Sequence, residues 1–541
     1  MVGFFLSNLL KHKYFDRFNS YYKCMKKPSS TSKNFITGAL LLSLGGLLAK
    51  VLGALYRIPL TNVLGSYGMG LYQLVFPPYI LFLTVCQAGI PVALSKTIAE
   101  KMQLNQPKQA QKAFNLCFFF LLAMGILGAG VLAGLSKVIA KAQGNVDTTL
   151  AFVIVAPALV FVPITNALKN YFQGQMNMLP SSVTTVIEQI VKLTVGLVCA
   201  YHFMPNVLKA VYGATFAITV SEFCSFVIMG IAYLCHKRKH PLRAKVQRND
   251  AKQLSKQIFN LSIPVALGAF VMQTSQVIDS VMVVNLLKST NATSLYGLWT
   301  GPVNSMLGLP IALSAGVAIS ALPTITTTFV NGDKAKLYNS FNSAIKLTMV
   351  IALPSALGLI TLSKPILSLL YGSLSAEEIH VASMLLSLSG LSVVFLSIMQ
   401  TCVSILQAIN KPYVTVVILA FSVVVKAVTN LILLPNAKVN IYGSAISETL
   451  CYLFATICVI IYLTNKLNLL VDVNSSLLKP LASSMMMVLA ITLLTAFAKD
   501  FVSTTIGTLV VIVIACVVYV VATFTLKVFN PTELKMLPLK R

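Results

Sequence analysis

The sequence predicts an all-α integral membrane protein with about fourteen transmembrane helices. These would form two parallel-repeat six-helix lobes plus two extra C-terminal helices. Three observations carry that prediction. Of 541 residues, 57% are hydrophobic and only 10% are charged, whereas an ordinary soluble domain has about 25% charged residues. Apolar runs long enough to cross a bilayer, about 20 residues each, recur fourteen times. Marks in the first half of the chain return in the second after six such runs. Disorder is excluded by the same composition. The ten cysteines do not suggest a secreted disulfide scaffold, because nearly all sit singly inside apolar runs, with no CxxC and no Cys/His metal spacing.

The runs, bounded by charge or turn signals, fall at about 35–63, 67–95, 113–136, 148–171, 180–204, 207–235, 256–286, 300–329, 342–363, 378–407, 413–435, 442–465, 477–498 and 504–529. Prolines recur inside them, among them Pro59, Pro77, Pro78, Pro91, Pro157, Pro163, Pro264, Pro310, Pro323 and Pro354. Such prolines would break soluble helices, but they kink membrane helices whose neighbours can satisfy the freed backbone groups. No strand alternation long enough for a barrel is present. The expected boundaries are a basic cytoplasmic N-terminal segment at 1–34, a first lobe at 35–235 and a basic loop at 236–255. A second lobe follows at 256–465, then helices 13 and 14 within 466–529 and a tail at 530–541. The short apolar piece at 2–10 has no charged region before it and no cleavage site, so it does not read as a signal peptide. Both Met1 and Met25 are possible starts.

An even number of spans puts both termini on one side. Lys and Arg in or next to the loops then divide 30 to 7 in favour of the side holding the termini. By the positive-inside rule that side is the cytoplasm. This explains most of the net charge of +27 without a nucleic-acid partner. The basic loop, with eight Lys and Arg between His236 and Lys256, is a topology signal that could also touch anionic headgroups.

The repeat is carried by Gln173, Asn177, Pro180, Lys192, Tyr212-Gly-Ala and Ser221-Glu222. Its counterpart is Gln407, Asn410, Pro412, Lys426, Tyr442-Gly-Ser and Ser447-Glu448. A weaker pair is Ala88-Gly89 through Ser95 against Ala315-Gly316 through Ser320. A shift of six spans preserves orientation, so the pseudo-axis should run along the membrane normal. Two six-helix bundles facing a central cavity is a transporter plan.

Charge at the bilayer centre costs about 3 kcal/mol or more, so each such residue is a functional candidate. The candidates are Lys50 and Arg57 on span 1, Glu188 and Lys192 on span 5, Glu222 on span 6, Asp279 on span 7, Lys426 on span 11 and Glu448 on span 12. Glu188 and Lys192 stand i,i+4 and are expected to pair. The repeat mates Lys192/Lys426 and Glu222/Glu448 read either as packing locks between neighbouring helices or as substrate contacts. Lys50 and Arg57 lie two turns apart on one face, with no acid on their own helix. Arg57 is the stronger candidate, since guanidinium suits bidentate phosphate recognition. Asp279 could counter Arg57 across the cavity or hold a coupling cation. No P-loop, HExxH or Gly-x-Ser-x-Gly motif occurs. No cofactor is expected, and energy would come from sodium, protons or the membrane potential.

The run Gly53-Ala-Leu-Tyr-Arg-Ile-Pro-Leu-Thr-Asn-Val-Leu-Gly-Ser-Tyr-Gly-Met-Gly-Leu-Tyr-Gln73, followed by Gln87-Ala-Gly-Ile-Pro-Val-Ala-Leu-Ser95, resembles the lipid-linked oligosaccharide flippases of the MOP exporter superfamily. This family includes stage V sporulation protein B and the MurJ-type lipid II flippases. Leu-Pro-x-Ala-Leu-Ser-x-Gly at 309–316 agrees with it. The resemblance implies a two-lobe carrier of the plasma membrane that moves undecaprenyl-pyrophosphate-linked sugars outward by alternating access. It implies a cationic cavity formed by helices 1, 2, 7 and 8, and a tail-binding groove formed by helices 13 and 14. Arg57, Lys50 and Gln73 would then meet the substrate. The partners implied are the lipid-linked oligosaccharide, membrane lipids and cell-wall synthesis proteins, with the chain a monomer. The lipid II branch carries an arginine on helix 8, whereas residues 300–329 hold no basic residue. The alternatives are a MATE-type cation-coupled multidrug antiporter and a non-transporting scaffold for wall synthesis.

Overall fold

The computed structural model describes residues 31–87, 89–239, 248–287, 289–409, 411–467, 469–498 and 504–529. The segment at 1–30 with both candidate starts, the centre of the basic loop at 240–247 and the tail at 530–541 lie outside the described residues, as do Ala88, Lys288, Asn410 and Lys499.

Helix forms wherever the apolar runs were long, because a chain in hydrocarbon must satisfy its backbone groups internally. The main helices are α1 (Thr31–Gln87), α2 (Ile90–Gln103), α3 (Pro107–Gly134), α4 (Ala158–Gly174), α5 (Leu179–Phe203), α6 (Val207–Lys239) and α7 (Arg248–Leu286). They continue with α8 (Asn304–Val330), α9 (Lys334–Thr361), α10 (Ala376–Ala408), α11 (Pro412–Leu433), α12 (Tyr442–Leu467), α13 (Lys479–Phe497) and α14 (Thr505–Thr525). Among the described residues no strand occurs. Thirteen helical stretches there are long and apolar enough to span a bilayer. The chain is a multi-pass membrane protein.

The count of thirteen and the expected fourteen meet at Gly65. The first stretch, Gly45–Gln103, is 59 residues long. Straight, a helix of that length would reach about 88 Å, nearly three times the hydrocarbon layer. It is not straight. Gly65 has φ 67° and ψ −176°, a conformation open to glycine and costly for a residue with Cβ. One face of α5 meets the chain on both sides of Gly65, with Gln189 Oε1 3.5 Å from where a Cβ on Gly53 would lie and Lys192 Nζ 5.6 Å from the centroid of the Phe76 ring. The chain therefore doubles back there, and predicted spans 1 and 2 are its two arms. Two other expected spans differ in outline. Span 4 is divided at Pro157, between Thr149–Val155 and α4. Span 8 begins earlier, with Ala292–Leu298 and a π-turn at Trp299–Val303 that accommodates Pro302.

Each half has its own apolar core. In the first half Tyr56, Leu60, Leu64, Phe152 and Val211 form one cluster, and Leu94, Phe114, Tyr171 and Met229 another, which Leu254 and Ile258 of α7 join. In the second half Trp299, Phe341, Tyr371, Leu385, Leu406 and Leu463 belong to one large cluster. Outward faces carry Phe119, Val198, Phe421, Ile432, Phe497 and Val513 exposed, as lipid-facing positions require. α13 and α14 form a small core of Met487, Ile491, Val511 and Ala515 with Leu362. They are fastened to α9, where the Tyr519 hydroxyl donates to Val350 O at 2.7 Å. The Asp472 amide donates to Asn342 Oδ1 at 2.7 Å. Hydrogen bonds from the Ser475 hydroxyl and amide hold the Asp472 carboxyl below the usual carboxylate range.

The halves meet along a polar seam at the Gly65 end. Asn62 Nδ2 donates to Leu370 O at 2.9 Å, and the Ser373 hydroxyl donates to Asn62 Oδ1 at 2.9 Å. Gln143 Nε2 donates to Ser280 Oγ at 2.9 Å, Asn145 Nδ2 to Thr293 Oγ1 at 3.0 Å and Asn285 Nδ2 to Ala142 O at 2.8 Å. Two glycines permit the approach. A Cβ on Gly297 would lie 2.1 Å from Ser66 O, and one on Gly70 would lie 2.1 Å from Thr293 O. Lipid gives helices little hydrophobic reason to associate, so close backbone approach and hydrogen bonds of roughly 0.6 kcal/mol each do that work. A seam of this size can open and reseal. In a cysteine-replaced background, an Asn62→Cys/Ser373→Cys pair should cross-link efficiently. Adding Gly297→Ala should cut that yield several-fold by forcing the seam apart.

Candidate functional site

The charged groups of the first half gather around α5, which starts on Pro180 in its first turn and ends where Met204 turns extended. Gln189, Lys192 and Gly196 share one helical face. That face meets the first arm of α1. A Cβ on Gly196 would lie 2.3 Å from the Tyr56 hydroxyl, and one on Gly53 would lie 3.5 Å from Gln189 Oε1. Lys192, between those two contacts, extends toward the doubled-back arm, its Nζ 5.6 Å from the centroid of the Phe76 ring. Arg57 follows Tyr56 directly and is half-buried. Tyr72 and Tyr371 lie near its guanidinium. Tyr371 belongs to the core of the second half, so Arg57 stands between the halves. Arg57 lies within electrostatic range of Lys192, as do Glu222 and Glu188, which act in the opposite sense. Among the described residues neither has a carboxylate within 4.0 Å.

The expected Glu188–Lys192 pair is not formed. Glu188 Oε2 instead lies 3.0 Å from Lys169 Nζ on α4. The Ser225 hydroxyl donates to the same oxygen at 3.3 Å, and Gln189 Nε2 donates to Oε1 at 3.3 Å. Spacing of i,i+4 puts two side chains in reach of each other, but α5 is wedged between α1 on one side and α4 with α6 on the other. Donors on α4 and α6 draw the carboxylate away. Lys169 escaped notice in the sequence because it stands at the end of span 4 and reads as a loop cation. Glu222 lies in the field of Glu188, Lys169 and Lys192 but forms no ion pair among the described residues.

In the second half the equivalent charges are neutralised. Lys426 forms an ion pair with Asp279 and lies 4.0 Å from Glu448. Asn430 Nδ2 donates to Asp279 Oδ1 at 2.9 Å, the Tyr452 hydroxyl to Glu448 Oε1 at 3.1 Å and the Ser447 hydroxyl to Asn430 Oδ1 at 2.5 Å. The lock expected between helices 11 and 12 is present, with α7 added to it. Asp279 therefore does not face Arg57. α7 packs alongside α11, and the nearest cation there is Lys426. Lys50 is exposed. Gln73 is buried, its Nε2 donating to Thr300 O across the seam at 2.9 Å, so its amide already has a partner in this arrangement.

The profile of the polysaccharide biosynthesis protein family matches residues 35–329. The chain belongs to that family. The MatE family also matches, over residues 264–432. Among curated relatives, the lipid II flippase MurJ of Bacillus subtilis (strain 168) is 26% identical over 445 residues, 78% of this chain and 81% of the relative. Stage V sporulation protein B of the same organism is 25% identical over 358 residues, 64% of this chain and 68% of the relative. In fold, the chain is similar to a lipid II flippase MurJ in an inward closed conformation. That similarity has a TM-score of 0.68 at 18% identity and covers 90% of this chain and 98% of that one. An inward-facing multidrug resistance MATE family transporter of the MOP superfamily follows at TM-score 0.62 and 13% identity, covering 77% and 94%.

Removing one partner of a buried ion pair leaves the other uncompensated, at about 3–5 kcal/mol. Asp279→Asn and Lys426→Met should each lower the thermal stability of the purified protein markedly. The double variant should recover much of the loss, because no charge is then stranded.

Proposed function

We propose that the protein is a plasma-membrane flippase, not an enzyme. In this reading it carries an undecaprenyl-pyrophosphate-linked oligosaccharide from the inner to the outer leaflet by alternating access. The single observation that carries the reading is Arg57, an intramembrane guanidinium between the halves with no carboxylate within 4.0 Å among the described residues. An anion must be expected where a cation is maintained in low dielectric at such cost. A pyrophosphate diester supplies that anion, and its oxygens match the guanidinium fork. Family membership and the names of the relatives point to the same substrate class: lipid II or a related polysaccharide precursor. The bare helix 8 leaves the saccharide open between these two.

With the lysine-rich end in the cytoplasm, both termini are cytoplasmic and the seam at the Gly65 end closes the outer face. The substrate then enters from the inner leaflet, its headgroup between the halves and its polyprenyl tail in the lipid. Breaking the seam and closing the opposite end exposes the headgroup outside. That opposite end is also in contact, where Leu254 and Ile258 of α7 are buried against Leu94 and Ile98 of α2 and Gln257 Nε2 donates to Glu100 Oε2 at 2.8 Å. The cycle would draw on sodium, protons or the membrane potential. A cation antiporter needs free carboxylates facing its path, whereas Asp279 and Glu448 are engaged with Lys426 and Glu188 with Lys169, which leaves Glu222 among the intramembrane acids.

Arg57→Ala should insert and accumulate normally. It should fail to rescue a strain depleted of its lipid II flippase and expose no lipid II in a leaflet-specific assay. Loss of charge-assisted hydrogen bonds corresponds to roughly 10- to 100-fold weaker headgroup binding. Rescue by Arg57→Ala would remove the reading of Arg57 as the headgroup contact.

A further inference from the structure

We propose that Lys192 is the second cation of the headgroup site, acting with Arg57 on the same diphosphate. This rests on the flippase reading above and deepens it. It also reverses the expectation that Lys192 is a packing lock like its repeat mate.

The argument begins with the repeat. Lys192 on α5 and Lys426 on α11 are equivalent positions, and each faces the first helix of its own half. In the second half that helix, α7, brings Asp279, and the ammonium is neutralised at once. In the first half that helix, α1, brings no acid at all, only Lys33, Lys50 and Arg57. The same architectural slot thus holds a lysine with a counter-ion in one half and a lysine beside a guanidinium in the other.

The packing holds the two cations there. Gly196, one turn beyond Lys192, lets α5 come so close to α1 that the Tyr56 hydroxyl occupies the space of a Cβ. Phe76 lies near the ammonium, with Nζ 5.6 Å from the ring centroid. Glu222 and Glu188 act on Lys192 at longer range, but among the described residues neither forms an ion pair with it. Glu188 is held by Lys169 at 3.0 Å, and Glu222 is not within 4.0 Å of any cation among the described residues. Two like charges confined near each other in a medium of low dielectric repel strongly. Such a pair is maintained only if something compensates it during the working cycle. A diphosphate diester carries two negative charges on adjacent phosphoryl groups, one for each cation. Lys192 supplies a point charge on a flexible stem, while Arg57 supplies the fixed fork.

The test uses the full chain in lipid nanodiscs, with inorganic pyrophosphate as probe and binding read by calorimetry, beside the melting temperature without ligand. Lys192→Met should keep the wild-type melting temperature and bind pyrophosphate at least ten-fold more weakly, with Lys192→Arg within about three-fold of wild type. Lys426→Met should do the opposite, losing stability while the surviving folded protein keeps its affinity. Wild-type affinity in Lys192→Met, with affinity lost in Arg57→Ala, overturns the role of Lys192 and leaves the flippase reading intact. Failure of both Lys192→Met and Lys192→Gln to fold also overturns it, since Lys192 is then a packing residue. No pyrophosphate binding by the wild-type protein removes the Arg57 contact and this proposal together.

Discussion

A charged group in hydrocarbon must either find its counter-charge within the protein or be kept for something that arrives. Much of what distinguishes the two halves of this molecule follows from that constraint. In the second half every buried charge on α7, α11 and α12 is answered: Asp279 and Glu448 by Lys426, with Asn430, Tyr452 and Ser447 completing the hydrogen bonds. The result is a bundle whose electrostatics are closed. In the first half Lys169 and Glu188 close on each other, and among the described residues Arg57, Lys192 and Glu222 are left without an ion pair. The repeat explains how this arose without a change of fold. One helix of the pair carries a carboxylate and the other carries cations, so equivalent backbones present opposite surfaces to the space between them.

The seam obeys the same economy in another form. Lipid tails are as apolar as leucine, so burying leucine does little to hold the two halves together. They are joined by side-chain amides and by two glycines that admit a carbonyl where a Cβ would otherwise stand. Interactions of this kind are strong enough to define a closed end and weak enough to be exchanged for another set. The turn at Gly65 is part of the same device. It brings the two arms of α1 together, placing Asn62 and Ser66 on the seam and Arg57 and Tyr72 just behind it.

Several features of the site could be read before any coordinates. Arg57 stood out because no acid shares its helix, and it is found without one. Lys426 and Glu448 stood out through the repeat, and they are neighbours. The misreadings have a common cause. Glu188 and Lys192 are neighbours along a helix, but which way each side chain turns depends on what α1, α4 and α6 offer. Asp279 seemed a partner for Arg57 because both are intramembrane and of opposite sign. The lateral order of helices decides instead, and it puts α7 against α11. Lys169 was hidden because the end of a span cannot be placed to within a turn from hydropathy alone.

Hydrophobic run length, proline placement and the internal repeat were enough to establish by themselves that the chain is a helical membrane protein of duplicated bundles. These signals are local, or depend only on order along the chain, and the bilayer turns them directly into architecture. Which charges neutralise each other, which helix face meets which neighbour, and which end of the assembly is closed were decided only by tertiary structure. Those properties depend on the distances between helices far apart in sequence, and an ion pair or a carbonyl contact is made or lost within an ångström or two.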